Sequence, residues 1–357
     1  MRGLRLVCFR GLLLSVMLLF DPAFVQSQQR GPEAVAVELA EVYGKQFQQV
    51  AYIPALPLVS KLQLTELTGR PQYADDVHRL MAPYLNGQVN PLPKSGSEQA
   101  GHLIFAALAD RAEGKERERW IALCRAAADQ IFSAEGQALP VMPFHNEMSD
   151  AVFMAGPILS ATGRLTGDRR YFDAAAVHLQ SMRSLCLRAD GLYRHSPLCE
   201  AAWGRGNGFP ALGLALVLSD WPEDHSALPV LQEELRRHLR ALRLWQDVST
   251  GCWRQVIDEP SSYLEYTSTC MIGFAMQRGI SRGWLDAAEF QPCVDLAWRA
   301  IEQRTGSGGM LVNVCTGTGK QQTLQAYFDR PAIQGRDDRG GAMGLLFATE
   351  LLRAGRK

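Results

Sequence analysis

The chain has 357 residues, 47% hydrophobic and 21% charged, with 37 basic and 37 acidic side chains and a formal net charge of zero. That balance gives no electrostatic reason to expect nucleic acid or an anionic membrane as a partner, although a local basic patch can still hold an acidic sugar. The length suffices to bury a sizeable core, as one large domain or two ordinary ones.

The first segment reads as a targeting signal. Arg2, Arg5 and Arg10 precede the apolar run 11–20, and small or polar residues follow at Val25-Gln26-Ser27. A span of about 20 apolar residues is needed to cross a bilayer, so this run suits a signal-peptide core better than a membrane anchor. Residues 1–27 are therefore expected to be removed on export, to the periplasm or the exterior, leaving 28–357 as the mature chain with no membrane attachment. An uncleaved anchor is the alternative.

Of the eight cysteines, Cys8 would leave with the signal, and none of the rest forms a Cys-x-x-Cys pair or sits at zinc-finger spacing. Most fall inside apolar helical patterns, where cysteine acts as a small hydrophobe. Free buried thiols are expected, and the sequence names no disulfide.

No strand-like alternation is sustained for long, so the chain reads as helical, with two kinds of helix taking turns. Segments 33–49, 72–84, 116–132, 170–187, 228–245 and 285–303 are amphipathic, with one charged face, and suit an outer layer. Segments 57–67, 98–109, 150–161, 207–218, 266–277 and 338–352 are apolar nearly all round and rich in Gly and Ala, as an inner layer requires. This alternation predicts an all-α fold, an (α/α)6 barrel in a single domain, because no one hairpin can bury its own apolar face. An open α-solenoid is the other arrangement with this pattern.

Local echoes support the repeat. Thr68-Gly69-Arg70-Pro71-Gln72-Tyr73 resembles Thr166-Gly167-Asp168-Arg169-Arg170-Tyr171, each a loop from an inner to an outer helix with a glycine C-cap. Asp190-Gly191-Leu192-Tyr193-Arg194-His195 resembles Thr250-Gly251-Cys252-Trp253-Arg254-Gln255, on the way back in, and 307–313 is a weaker third copy.

In such a barrel the polar clusters 94–99, 145–150, 203–207, 258–269 and 336–339 all lie where inner helices begin, hence on one rim. Helix N-termini offer unpaired N–H groups and favour anionic ligands. Simple N-capping is the plain reading of each cluster alone. The rim gathers carboxylates (Glu98, Glu147, Asp150, Asp258, Glu265), the histidines His145 and His195, aromatics including Trp203 and Phe209, and Arg205, Arg336 and Arg339. Aromatic faces stack on sugar rings, carboxylates bond hydroxyls, and arginine forks onto a uronate carboxylate. No P-loop, dinucleotide fingerprint, nucleophile elbow or zinc-protease motif occurs.

Ser149-Asp150-Ala151-Val152-Phe153-Met154, Thr166-Gly167-Asp168, Gly191-Leu192-Tyr193-Arg194-His195 and Trp203-Gly204-Arg205-Gly206-Asn207-Gly208-Phe209 together resemble the signature of the unsaturated uronyl hydrolases of glycoside hydrolase families 88 and 105. The resemblance implies an (α/α)6 barrel that removes a Δ4,5-unsaturated uronic acid from the non-reducing end of lyase-generated oligosaccharides, with no metal or organic cofactor. It implies Asp150 as general acid and base, and a substrate pocket of His195, Trp203 and Arg205, to which His145, Glu147, Asn207 and Phe209 are added from the same rim. That family usually has a tryptophan where Phe209 stands. Its second aspartate has no counterpart in Gly96-Ser97-Glu98-Gln99, so Glu98 is the expected substitute.

The implied chemistry starts from an enol ether. Protonation at C4 builds oxocarbenium character at C5, water adds there, and the hemiketal collapses to release the leaving group. Burial or a neighbouring carboxylate, here Glu147 or Glu98, is what keeps such an acid protonated near neutral pH. An ordinary inverting glycosidase, a two-histidine epimerase and a non-catalytic binder of acidic glycans are the other readings of this rim.

Overall fold

The computed structural model describes residues 30–356, and the expected signal peptide lies outside the described residues. Outer and inner helices alternate along the chain. Outer α1 (Pro32–Val42) leads to inner α2 (Tyr52–Thr68), and outer α3 (Gln72–Leu85) to an inner segment broken into α4 (Gly96–Gly101) and α5 (Leu103–Ala109). Outer α6 (Gly114–Ala128), α8 (Arg170–Cys186) and α10 (Leu228–Leu244) precede inner α7 (Ala151–Thr166), α9 (Gly204–Asp220) and α11 (Tyr266–Ser281) in turn. Outer α12 (Ala287–Gln303) precedes an insertion, and a final inner helix, here the last of the fourteen, is α14 (Asp338–Ala354).

The inner helices form a closed ring, each packed on the next in the order α2, α4/α5, α7, α9, α11, α14 and back to α2. Closure decides for the barrel and against the open solenoid. Each kind of helix sits where its side chains put it. α10 buries Leu231, Leu235, His238, Leu239 and Leu242 at helical spacing and turns its arginines outward, whereas α7 is buried on every side from Ala151 to Gly163. Small residues let the inner backbones meet: a Cβ on Gly213 of α9 would lie 2.8 Å from the backbone of Phe153 on α7. The two echoed loops behave alike, since Gly69 and Gly167 both take φ of 71° and cap their helices by donating to Thr65 and Gly163.

Two departures from the expected pattern matter for the site. α2 starts at Tyr52 rather than residue 57, because Pro54 falls in the first turn, where no backbone donor is needed, and Pro57 is tolerated inside. Strands also occur, which the sequence reading did not foresee. β1 (Trp253–Arg254) pairs with β2 (Leu264–Glu265), and β3 (Thr305–Gly306), β4 (Met310–Cys315) and β5 (Ala332–Gly335) form an antiparallel sheet with the short helix α13 (Leu324–Phe328) between β4 and β5. All seven cysteines among the described residues are free, six of them buried.

Candidate active site

The six inner segments begin on one rim, and hydrogen bonds join these starts. Ser149 Oγ donates to the carbonyl of Gly206 at 2.6 Å, tying the head of α7 to α9. Glu265 caps α11 by accepting from Thr267 and Ser268 and also accepts the N–H of Cys315 at 2.9 Å, which pins the end of β4 over the rim. His145, held at φ 55°, accepts from the backbone N–H of Gly96 at 3.1 Å and so links the loop before α7 to α4.

Asp150 stands at the head of α7 and is 6% exposed. Its Oδ1 lies 3.3 Å from Nε2 of His195, and neither atom has a satisfied hydrogen bond. The indole N–H of Trp203, whose ring is centred 4.5 Å from that of His195, is likewise buried without a partner. Buried polar atoms are seldom left so. Three of them converging on one point mark where a polar ligand would be bonded.

The tautomer of His195 follows from its other side. Tyr327 on α13 accepts the N–H of Gln321, and its hydroxyl lies 2.8 Å from Nδ1 of His195. The phenol, pushed up to about 12 by burial, keeps its proton and donates it to Nδ1. A ring that accepts this proton at Nδ1 presents Nε2–H to Asp150. His145 is a second imidazole near this point: burial pushes its pKa down, Asp150 opposes that and His195 adds to it.

Four of the residues singled out in the sequence therefore meet: Asp150, His145, His195 and Trp203. The others fall elsewhere, for physical reasons. Arg205 spends its fork on the carbonyls of Cys315 (2.5 Å) and Thr316 (2.6 Å), with its guanidinium carbon 4.7 Å from the centre of the Trp203 ring. It is a strut under the β4 loop rather than a free clamp for a carboxylate. Asn207 is fully buried, accepts from the N–H of Tyr193 and donates to the carbonyls of Tyr193 and Trp203. It shapes the loop that carries His195, and with both its donors spent and its side chain fully buried it does not reach substrate. Phe209 is 1% exposed, stacked on Phe153 at 5.4 Å and edge-on to Tyr52 at 5.6 Å, so it packs below the site and does not form a sugar platform.

Neither expected carboxylate neighbour bonds to Asp150. Glu98 turns back to accept from Gln49 at 3.1 Å and from the N–H of Lys94 at 2.8 Å, closing the start of α4. Glu147 is exposed and paired with Lys320 in the loop after β4, a bridge from the α7 side to the inserted loop. Three residues missed in the sequence complete the setting: Lys320, Tyr327 and Tyr52, the last at the first position of α2 and edge-on to Phe209. Tyr52 was legible in principle, as an aromatic at the first position of an inner helix. Tyr327 carried no signal, lying in a polar run far from any inner helix. Among the described residues, no three His, Cys, Asp or Glu side chains gather as a metal site.

Similarities to known proteins agree with this fold. Among curated proteins, the chain is 27% identical over 215 residues to an unsaturated rhamnogalacturonyl hydrolase of Bacillus subtilis, covering 57% of this chain and 59% of that one. It is 26% identical over 186 residues to an unsaturated 3S-rhamnoglycuronyl hydrolase of Formosa agariphila, covering 46% and 49%. The aligned part thus spans about half the length of the curated relatives it matches. Among solved structures, a possible member of family GH105 from Klebsiella pneumoniae superposes with a TM-score of 0.77 at 20% identity, covering 97% of this chain and 99% of that one. The unsaturated glucuronyl hydrolase of Bacillus sp. GL1 superposes with a TM-score of 0.63 at 16% identity, covering 91% and 95%. The model of Glycosyl Hydrolase Family 88 matches residues 37–355, nearly all of the described chain, and the protein belongs to that family.

Proposed function

We propose that the protein hydrates the C4=C5 bond of a Δ4,5-unsaturated uronic acid at the non-reducing end of an oligosaccharide, and so releases that residue. The observation that carries this reading is the buried Asp150 carboxyl with Oδ1 unbonded, 3.3 Å from Nε2 of His195. A single acid so placed suits a reaction in which one group gives a proton and later takes one back. Membership of family 88 and the names of the curated relatives support the same reaction class.

In this mechanism Asp150 protonates C4 of the enol ether, and positive charge develops at C5 and the ring oxygen. Asp150, now a carboxylate, takes a proton from the water that adds at C5. His195 Nε2–H steadies that carboxylate, and Tyr327 keeps the histidine in the tautomer that can do so. The resulting hemiketal opens to a ketone at C5, which leaves a hemiacetal at C1, and that collapses to an aldehyde with loss of the leaving alcohol. Trp203 and the Arg205 strut wall the pocket on the α9 side.

The test follows loss of the ultraviolet absorbance of the conjugated alkene in lyase-generated disaccharides. Asp150→Asn is expected to keep its fold and lower kcat by about 10⁴-fold, the upper range for removal of a general acid–base group. A near-normal rate in that variant would remove Asp150 from the mechanism. Equal turnover of a saturated disaccharide would return the ordinary glycosidase reading.

A further inference from the structure

The hollow at the centre of the ring is divided along its length. Tyr52 of α2, Phe153 of α7 and Phe209 of α9 pack against one another below Asp150, with ring centres 5.4 to 5.8 Å apart. This aromatic layer closes the mouth from beneath. Further along the same helices a second cavity, of about 380 Å³, opens at the opposite end of the barrel. All six inner segments line it: Leu56 of α2, Leu103 of α5, Pro157 of α7, Leu216 of α9, Phe274 of α11 and Leu346 of α14. Its volume falls within the range of small-molecule sites.

Where the inner helices end, these apolar walls give way to arginine. Arg111, Arg164, Arg278, Arg282 and Arg353 line the opening, against the carboxylates of Glu66, Asp110 and Asp220, with Glu350 buried behind them. Five guanidiniums thus meet four carboxylates, and the pairing is uneven. Arg164 takes both oxygens of Asp110 and one of Asp220, Arg111 holds Glu66 at 2.7 Å, and Arg278 takes both oxygens of Glu350. Arg353 bonds only to a Glu350 oxygen that Arg278 already uses, and the exposed Arg282 side chain has no partner among the described residues. Burial pushes the Asp220 pKa up against the pull of Arg164, which weakens it as a repelling charge. A guanidinium only donates. What the opening lacks is an acceptor.

We propose that this cavity binds a small amphipathic anion, a carboxylate on an aliphatic chain, with the chain among Leu56, Pro157 and Phe274 and the carboxylate at Arg282 and Arg353. Guanidinium forks give carboxylate oxygens charge-assisted bonds, and the walls take the chain out of water. A sugar suits these walls poorly, because aliphatic and aromatic side chains offer its hydroxyls no bond. The assignment does not depend on the reaction at Asp150.

The experiment titrates the whole protein calorimetrically with three probes: octanoate, octan-1-ol and acetate. Octanoate is expected to bind at least about 10-fold tighter than either of the others, since octanol loses the charge-assisted bonds and acetate the buried chain. Ala107→Phe, which fills the cavity from α5, is expected to abolish octanoate binding. Arg282→Gln, an exposed change that leaves the packing alone, should weaken it about 10-fold, the loss of one bond to a charged group. Turnover of an unsaturated disaccharide should be unchanged in both variants. Equal affinity for octanoate and octanol, or octanoate binding that both substitutions leave intact, would overturn the assignment. Octanoate binding that disappears in Asp150→Asn would move the probe to the mouth and overturn it equally.

Discussion

The two ends of the barrel are built from the same helices and treat polar groups in opposite ways. At the end where the inner helices finish, the buried charges are paired. Arg164 of α7 bonds Asp110 beyond α5 (2.8 and 2.9 Å) and Asp220 of α9 (2.8 Å). Arg278 of α11 grips Glu350 of α14 with two bonds of 2.7 and 2.8 Å and reaches Ser219 of α9 at 2.7 Å. Cations at helix C-termini also answer the negative end of the helix dipole. At the mouth, Asp150, His195 and Trp203 each keep a buried polar atom unbonded. One end carries its buried charges in pairs and holds the ring, with the Trp221 indole N–H buried unbonded beside them; the other gathers unbonded polar atoms around Asp150 and is proposed to do chemistry.

Substitutions should separate the two ends. Asp150→Asn, described above, is the largest expected effect on rate with the least on stability. The reverse case is Arg278→Ala, which strands the buried Glu350 carboxylate beside Arg353 alone. Burial pushes the Glu350 pKa up, and the Arg278 guanidinium more than offsets that and holds it below the usual range. Loss of about 3–5 kcal/mol is expected from removing one partner of such a pair, read as the midpoint of chemical denaturation. The folded variant should keep its kcat/KM; a collapse in rate with normal stability would break the division.

Tyr327→Phe sharpens the comparison from the mouth side. It removes the proton that sets the His195 tautomer, so kcat should fall about 10- to 100-fold, within the range for a general acid–base contribution. KM should barely move, because Tyr327 lies behind His195. If KM rises while kcat holds, Tyr327 contacts substrate and does not position the histidine.

The smallest effect is a pH dependence. His178 of α8 accepts from Met142 N–H and lies 3.0 Å from the Ala151 carbonyl, bracing the head of α7, and burial pushes its pKa from 6.5 to about 4. Between those values the unfolded chain binds the proton and the folded one does not. Stability therefore falls as the pH drops through this window. Amide protection factors at the head of α7, which discount the slower intrinsic exchange at lower pH, should fall from pH 7 to pH 5 before those at the ends of α11 and α14 do. Simultaneous loosening of both ends would count against separate treatment of mouth and floor.

How legible this was depended on whether a residue's neighbours were local. The inner and outer helices could be read off because each carries its environment in its own side chains, as in α7 and α10. The convergence on a rim followed from the alternation, which placed His145 there, whereas Asp150, His195 and Trp203 were singled out by their resemblance to the family's motifs. The parts of Asn207, Phe209 and Arg205 did not follow, since nothing local tells a buried amide or a buried guanidinium which backbone it will bond. The β4–β5 insertion stayed hidden because β4 lacks a clean two-residue alternation, and Tyr327 reaches His195 across 132 residues of sequence.

Ring closure between α14 and α2 has a consequence for biogenesis. α14 packs against both the first inner helix, α2, and its neighbour α11, so the mouth is completed only after α14 has been synthesised. Until then, a growing chain on the ribosome exposes the flanks of α2 and α11 that α14 will cover. Translation halted before residue 338 would yield an open arc of helices, prone to chaperone capture and without a finished pocket.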